Sequence, residues 1–202
     1  MNLAFSHNFN VVSPGELYRS GELPESALRE VIDQYGIKTV IDLQRGSEPF
    51  ESGLNEGEVV TSRGAHYVHL RLLSSKANQK TRILNLIDVL KKYPTPMLIH
   101  CTNGTHRSGF ASLLWLLEKK GVSLSEAKNQ LTFRYGYSQL ERNIQMTMQG
   151  HETLDSLIER FELETSTNPQ SFLSWFQSVD ESSLGGPPVT EHHHPLILTP
   201  KP

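Results

Sequence analysis

The chain has a single cysteine, Cys101, set in the run His100-Cys-Thr-Asn-Gly-Thr-His-Arg-Ser-Gly109. A thiol followed six residues later by an arginine is an arrangement for covalent phosphoryl transfer. The residues between them let the backbone curl, so that N–H groups of Thr102, Asn103, Gly104, Thr105, His106 and Arg107 point inward as a nest for phosphoryl oxygens. A helix beginning near Arg107 adds its positive dipole end and free amides. The same fields favour thiolate over thiol: cysteines so placed fall from a pKa of about 8.5 to between about 3.5 and 7.5. Arg107 offers a planar fork to two phosphoryl oxygens, which lysine does not reproduce. Gly104 permits a tight turn and keeps a side chain out of the anion's way. Ser108 is placed to hydrogen-bond the sulfur and make it a better leaving group, and His100 reads as a buttress of the loop rather than a base.

A lone cysteine is ordinarily a small buried hydrophobe. Against that, a histidine before it, an arginine six later and a serine or threonine next coincide by chance on the order of once in ten thousand. The context must be strand, loop, helix, and the flanks supply it. Met97-Leu-Ile-His100 reads as a short apolar strand ending at Cys101, and Ser108 to Lys120 as a largely buried helix stopped by Gly121. Upstream, Glu16–Arg19 and Ile37–Leu43 read as strands, and Pro24 to Tyr35 as a helix stopped by Gly36. Gln44 to Gly64 reads as a loop with a short helix from Glu51, and His66–Leu72 alternates as a half-buried strand should. Asn78 to Tyr93 carries Ile83, Leu86, Ile87 and Leu90 on one helical face. Ser125–Phe133, Leu140–Met148, Thr153–Leu163 and Pro169–Phe176 read as further helices. The expected fold is α/β, a central, mostly parallel sheet flanked by helices. Residues 1–179 are expected to form one domain, and 180–202, rich in Pro, Gly and Ser, a tail that is flexible or laid on the surface.

Composition narrows the function classes. The 202 residues carry a net charge of -3, which argues against a general nucleic-acid binder. No apolar run approaches the ~20 residues of a membrane span. One cysteine leaves no internal disulfide and no thiolate-rich zinc site; the cytoplasm is favoured, although a chain whose leader had been removed would look the same. No paired His/carboxylate spacing supports a catalytic metal, and no cofactor is expected. His192-His-His194 in the tail reads as incidental, and a monomer is expected.

The segment Pro96 to Gly109 resembles the HC-x5-R-(S/T) signature of the protein tyrosine phosphatase superfamily, especially dual-specificity-like members. The resemblance extends to Leu17-Tyr-Arg-Ser-Gly21, to Gly36-Ile-Lys-Thr-Val-Ile-Asp-Leu43 and to Phe133-Arg-Tyr-Gly136, covering Leu17 to Trp175. Bacterial atypical dual-specificity phosphatases look most similar; fungal, plant and phytase-like enzymes acting on inositol phosphates lie close. The resemblance implies a dual-specificity phosphatase-like fold and metal-free, two-step chemistry: attack by Cys101, then hydrolysis of phosphocysteine. It also places Arg19, Arg71, Lys76 and His106 at the rim of the substrate pocket.

The pattern departs from the family at the general acid, which members carry as an Asp on a loop some thirty residues before the cysteine. His66 to Asn78 holds no Asp or Glu, and the only acid between Glu58 and Glu118 is Asp88, inside a helix. The candidates for the missing proton donor are Glu48 or Glu51, His106, or the substrate itself through a neighbouring phosphate; a phosphoanhydride leaving group would need none. The same stretch is rich in cations: Arg63, Arg71, Lys76, Lys80, Arg82, Lys91, Lys92 and Arg107. Such asymmetry draws polyanions. A multiply phosphorylated ring wants several cations around a wide mouth, whereas phosphotyrosine wants a deep slot with aromatic walls. The expected activity is therefore hydrolysis of an inositol polyphosphate or phosphoinositide. Protein-tyrosine or dual-specificity phosphatase activity, and a weakly catalytic phosphate-binding module, are the alternatives.

Overall fold

The run Met97-Leu-Ile-His100 is buried at every position, as a strand covered on both faces requires. In this computed structural model, which describes residues 7–44, 49–77, 79–137, 152–185 and 194–200, that run is the inner strand of a six-stranded sheet. The strands are β1 (Asn10–Ser13), β2 (Leu17–Ser20), β3 (Thr39–Asp42), β4 (His66–His69), β5 (Met97–His100) and β6 (Leu196–Leu198). Their spatial order is β1-β2-β5-β3-β4-β6. β2, β5, β3 and β4 run parallel, and β1 and β6 close the two edges antiparallel.

Alternation along the strands sends side chains to two cores. Leu17, Ile41 and Ile99 face one side, against α3 (Lys80–Lys92), α4 (His106–Trp115), α6 (Leu154–Thr165) and α7 (Phe172–Ser178). Tyr18, Val40 and Leu98 face the other, against α1 (Glu25–Tyr35) and α2 (Glu56–Ser62). The result is three layers, helix on sheet on helix. A short α5 (Leu124–Ala127) completes the seven α-helices among the described residues, none long and apolar enough to cross a membrane.

Most expected elements form, with informative differences. Gly36 ends α1 in the left-handed conformation at φ 60°, its N–H donating to the Ile32 carbonyl. α2 starts at Glu56 rather than Glu51, because Asn55 and Glu58 form a reciprocal capping box. α4 begins at His106, so Arg107 lies in its first turn, and beyond Trp115 the helix widens into a π turn over Leu116–Lys120. The helix expected over Ser125–Phe133 is broken into α5 and two 3-10 turns, Lys128–Gln130 and Phe133–Tyr135. Leu131 leaves helical geometry, and the Gln130 carbonyl turns to accept from Arg19 instead. β1 and β6 were not expected. In the region after Asp180, Leu184 is buried and Leu196–Leu198 adds a strand to β4. The helix expected over Leu140–Met148, and Glu48, Asn78, His192 and His193, lie outside the described residues.

Candidate active site

Cys101 follows β5 at its carboxyl end, beside the ends of β2 and β3, and its thiol is buried. That is where ligands bind in open α/β sheets. The loop after it takes its shape from donors outside it. The Thr102 carbonyl accepts from the Glu22 amide at 3.1 Å. Asn8 Nδ2 donates to the carbonyls of Asn103 at 3.1 Å and Gly104 at 3.0 Å. Arg19 Nη2 donates to those of Gly104 and Thr105, both at 2.8 Å. In a trans peptide N–H and C=O point opposite ways, so carbonyls held outward turn the following amides inward.

Gly104, at φ +69°, needs to be glycine for a reason the sequence does not reveal. A Cβ there would lie 2.5 Å from the Gly21 nitrogen and 2.7 Å from the Ser20 carbonyl carbon. The crowding comes from the turn after β2, which corrects the expectation that the space is kept for the anion.

Arg19, expected to bind substrate, is completely buried behind the loop. Besides its two bonds to the loop, Nη1 donates to the Gln130 carbonyl at 2.7 Å and to Gln130 Oε1 at 3.1 Å, and the guanidinium stacks 4.4 Å from the Tyr135 ring. Burial pulls it down to about 10, partly offset by Cys101 and Tyr135, so it remains a cation at neutral pH. The segments Leu17–Gly21 and Phe133–Gly136 thus meet through one arginine that moulds the loop.

Cys101 is pulled in two directions. Burial pushes its thiol up, but the Arg107 charge, the Ser108 hydroxyl and the Ser108 and Gly104 amides outweigh burial and hold it below its ordinary value. Its Sγ lies 3.6 Å from Ser108 Oγ. Arg107 Nη1 donates to the Leu43 carbonyl at 3.0 Å and Nη2 to Thr102 Oγ1 at 2.9 Å, so the guanidinium spans from the end of β3 to the start of the loop.

Beneath the loop, His100 Nε2 pairs with Glu56 Oε1 at 2.7 Å and lies 4.0 Å from Asp42 Oδ1. All three side chains are buried. Asp42 also accepts from Tyr67 Oη at 3.0 Å and from the Gln44 amide at 2.8 Å. Burial alone would lower His100, but Glu56 and Asp42 overcome it and raise the imidazole to about 9. Asp42, Glu56 and His100 are the one cluster of acids and histidine, among the described residues, tight enough to hold a cation. Within it the His100 imidazole faces Glu56, while Asp42 accepts from Tyr67 and the Gln44 amide.

A cavity of about 210 Å³ opens over the loop, lined by Gln44, Leu72, Leu73, Ser74, Ser75, Thr102 and Arg107. No acid and no aromatic ring is among these residues. The Gln44 side chain is buried here, and its Nε2 has no hydrogen-bond partner among the described residues. Leu72 to Ala77 is pinned by the start of α6, through Leu154 N–H to the Ser74 carbonyl at 3.2 Å and Ala77 N–H to the Glu152 carbonyl at 2.8 Å.

A family model described as tyrosine phosphatase family matches residues 5–125, more than half of the 202 residues. The chain belongs to the tyrosine phosphatase family. As a member it is a cysteine-dependent phosphatase. No curated protein matches the sequence. Among solved structures it is similar to TpbA of P. aeruginosa, at 16% identity over 80% of this chain and 92% of that one, with a TM-score of 0.52. It is also similar to the core catalytic domain of the PP-IP phosphatase SIW14 of S. cerevisiae, at 19% identity over 82% and 96% of the two chains, with a TM-score of 0.50. At such identities the likeness concerns the fold.

Within this phosphatase the other expected site residues divide. Arg71 and Lys76 flank the segment that lines the cavity without lining it; their carbonyls accept from Arg82 Nη1 at 3.2 Å and Gln79 Nε2 at 2.6 Å. Glu51 is exposed and borders a separate cavity of about 540 Å³ with Pro24, Arg29 and Phe50, away from Cys101. Asp88 pairs with Lys92 at 2.8 Å on the helix surface. His106, in the first turn of α4, places Nδ1 3.1 Å from Asp155 Oδ2, with Tyr137 at 5.1 Å between ring centroids. Asp155 is a buried acid beside the loop that the sequence did not single out, because 49 residues separate it from His106. Glu56 and Gln44 were missed too. Glu56 carried a usable signal, the capping pattern Asn55-x-x-Glu58 that begins its helix.

Proposed function

We propose that this phosphatase hydrolyses phosphomonoesters in two steps, with Cys101 as nucleophile. Attack of the thiolate sulfur on phosphorus forms the P–S bond while the P–O bond to the leaving group breaks. Arg107 and the inward amides neutralise charge on the three equatorial oxygens. Water then attacks phosphorus, the P–S bond breaks, and Ser108 stabilises the departing thiolate. The observation that carries this reading is the chain's only cysteine, its thiol held below its ordinary value by Arg107 and Ser108 at the carboxyl end of β5. Cys101→Ser should retain phosphate binding and lose turnover. Vanadate should inhibit the wild type, and chelators should leave it unchanged; abolition by EDTA would contradict the mechanism.

For the substrate we propose an inositol polyphosphate or a phosphoinositide. A cavity lined by Gln44, Ser74, Ser75, Thr102 and Arg107 beside Leu72 and Leu73, with no aromatic side chain among the described lining residues, suits a polar phosphorylated ring better than a phosphotyrosine. Arg71 and Lys76 flank the same segment and add positive charge beside it, which favours a polyanion. Among the described residues no acid lines the cavity, which favours substrates that supply their own proton or carry a good leaving group. Turnover of inositol hexakisphosphate should exceed that of a phosphotyrosine peptide. A clear preference for the peptide would give the protein-phosphatase reading instead, and binding without turnover of either would point to a phosphate-binding module.

A further inference from the structure

We propose that Glu56 is a positioning residue of the active site, keeping His100 charged behind Cys101 and thereby favouring the thiolate. The inference rests on the reading of Cys101 as nucleophile. It begins with an arrangement unusual in a protein interior. Two carboxylates and an imidazole sit beneath the loop, each nearly inaccessible to water, and Glu56 reaches His100 from a different layer of the fold. Burying charge is costly unless it is paired, and removing one partner leaves the other exposed to the full penalty. A helix whose capping box delivers its first residue to this spot therefore has a consequence for the residue next to the nucleophile.

The groups facing His100 can be enumerated. Glu56 comes from α2 at 2.7 Å and Asp42 from β3 at 4.0 Å. From β4, Tyr67 donates to Asp42 and His69 Nε2 lies 3.9 Å from it, so Asp42 is already shared. From β2 the register partner is Ser20, a neutral side chain. Cys101 follows on the same strand. Glu56 is thus the acid nearest the imidazole, at 2.7 Å against 4.0 Å for Asp42, and its charge is the larger of the two that favour the protonated ring. When both are charged, His100 presents a positive charge next to Cys101, with the compensating carboxylate one side chain further away. Neutralising Glu56 releases the imidazole proton, and the thiolate loses a positive charge on the adjacent residue.

Because the chain has one cysteine, alkylation by iodoacetamide titrates Cys101 without ambiguity, whether or not any ester is turned over. The rate would be followed against pH for the wild type, Glu56→Gln, Glu56→Asp and Glu56→Gln/His100→Asn. In Glu56→Gln the midpoint should move to higher pH, with alkylation near pH 6 slowed on the order of tenfold, the weight of one pKa unit. Glu56→Asp keeps the charge and should stay near the wild type. Adding His100→Asn to Glu56→Gln should change the midpoint little further, since the carboxylate acts through the imidazole. A midpoint unchanged or lowered in Glu56→Gln would overturn the proposal. So would a larger disturbance from Glu56→Asp than from Glu56→Gln, which marks a residue that matters for its shape. Wild-type alkylation with no phosphate-ester turnover would count against the function proposed above while leaving this test intact.

Discussion

Arg107 and Ser108 approach one sulfur by different means, a full charge and a hydroxyl, and the balance against burial decides whether Cys101 is a nucleophile or an inert core thiol. Holding the thiol below its ordinary value extends the thiolate toward lower pH than a free cysteine would allow. Activity should then fall on the acid side, as the folded thiolate is protonated. Ser108→Ala removes the hydroxyl 3.6 Å from Sγ. A hydrogen bond to a charged group contributes about 1.5–3 kcal/mol, so kcat should fall roughly 10- to 100-fold. The acid limb should also move to higher pH, and phosphoenzyme should accumulate because its breakdown releases a less stabilised thiolate. Steady-state kinetics against pH with rapid-quench detection of the intermediate would check all three; an unchanged limb would remove Ser108 from the sulfur's environment.

At the scale of elements, the loop is shaped by strands and turns distant in sequence. Arg19 from β2 holds two of its carbonyls and Gln130 at once, with no access to solvent. Lysine has three donors on a flexible stem in place of a planar fork. Arg19→Lys should therefore lose at least one buried bond, destabilise the fold by about 1–3 kcal/mol, and lower kcat alike for every substrate. Thermal unfolding and kinetics on two substrates would test it, and a change in substrate preference would restore Arg19 to the rim. The Cys101-to-Arg107 spacing, β5 and α4 were legible in the sequence because loop chemistry and apolar runs are local signals. The role of Arg19 was not, because an arginine in a motif looks the same facing a ligand or facing a carbonyl. α2 was readable in principle from Asn55 and Glu58. β1 and β6 were not: four- and three-residue edge strands carry too little periodicity, and β6 lies in a segment whose Pro and Gly content speaks against strands. Asp155 and Glu56 reach the loop only through tertiary packing.

For the whole molecule, the ion pair under the loop ties stability to pH. His100 is raised from 6.5 to about 9 in the folded state. Its contribution is therefore complete below 6.5 and is lost as pH rises through about 9. Melting temperature should decline between about pH 7 and about pH 10, and less steeply in Glu56→Gln/His100→Asn, where no charged pair remains to be lost. Scanning calorimetry across that range checks the sign, and a melting temperature that rises with pH would contradict the paired state of His100.

The central claim concerns a covalent bond, so the most direct test is to trap it. The enzyme would be mixed with an activated aryl phosphate carrying radiolabelled phosphorus, quenched in acid within milliseconds, digested and mapped. Label on the peptide containing Cys101 in the wild type, increased in Ser108→Ala and missing in Cys101→Ser, is the predicted result. Turnover with no label on that peptide, or label that persists in Cys101→Ser, would contradict the account.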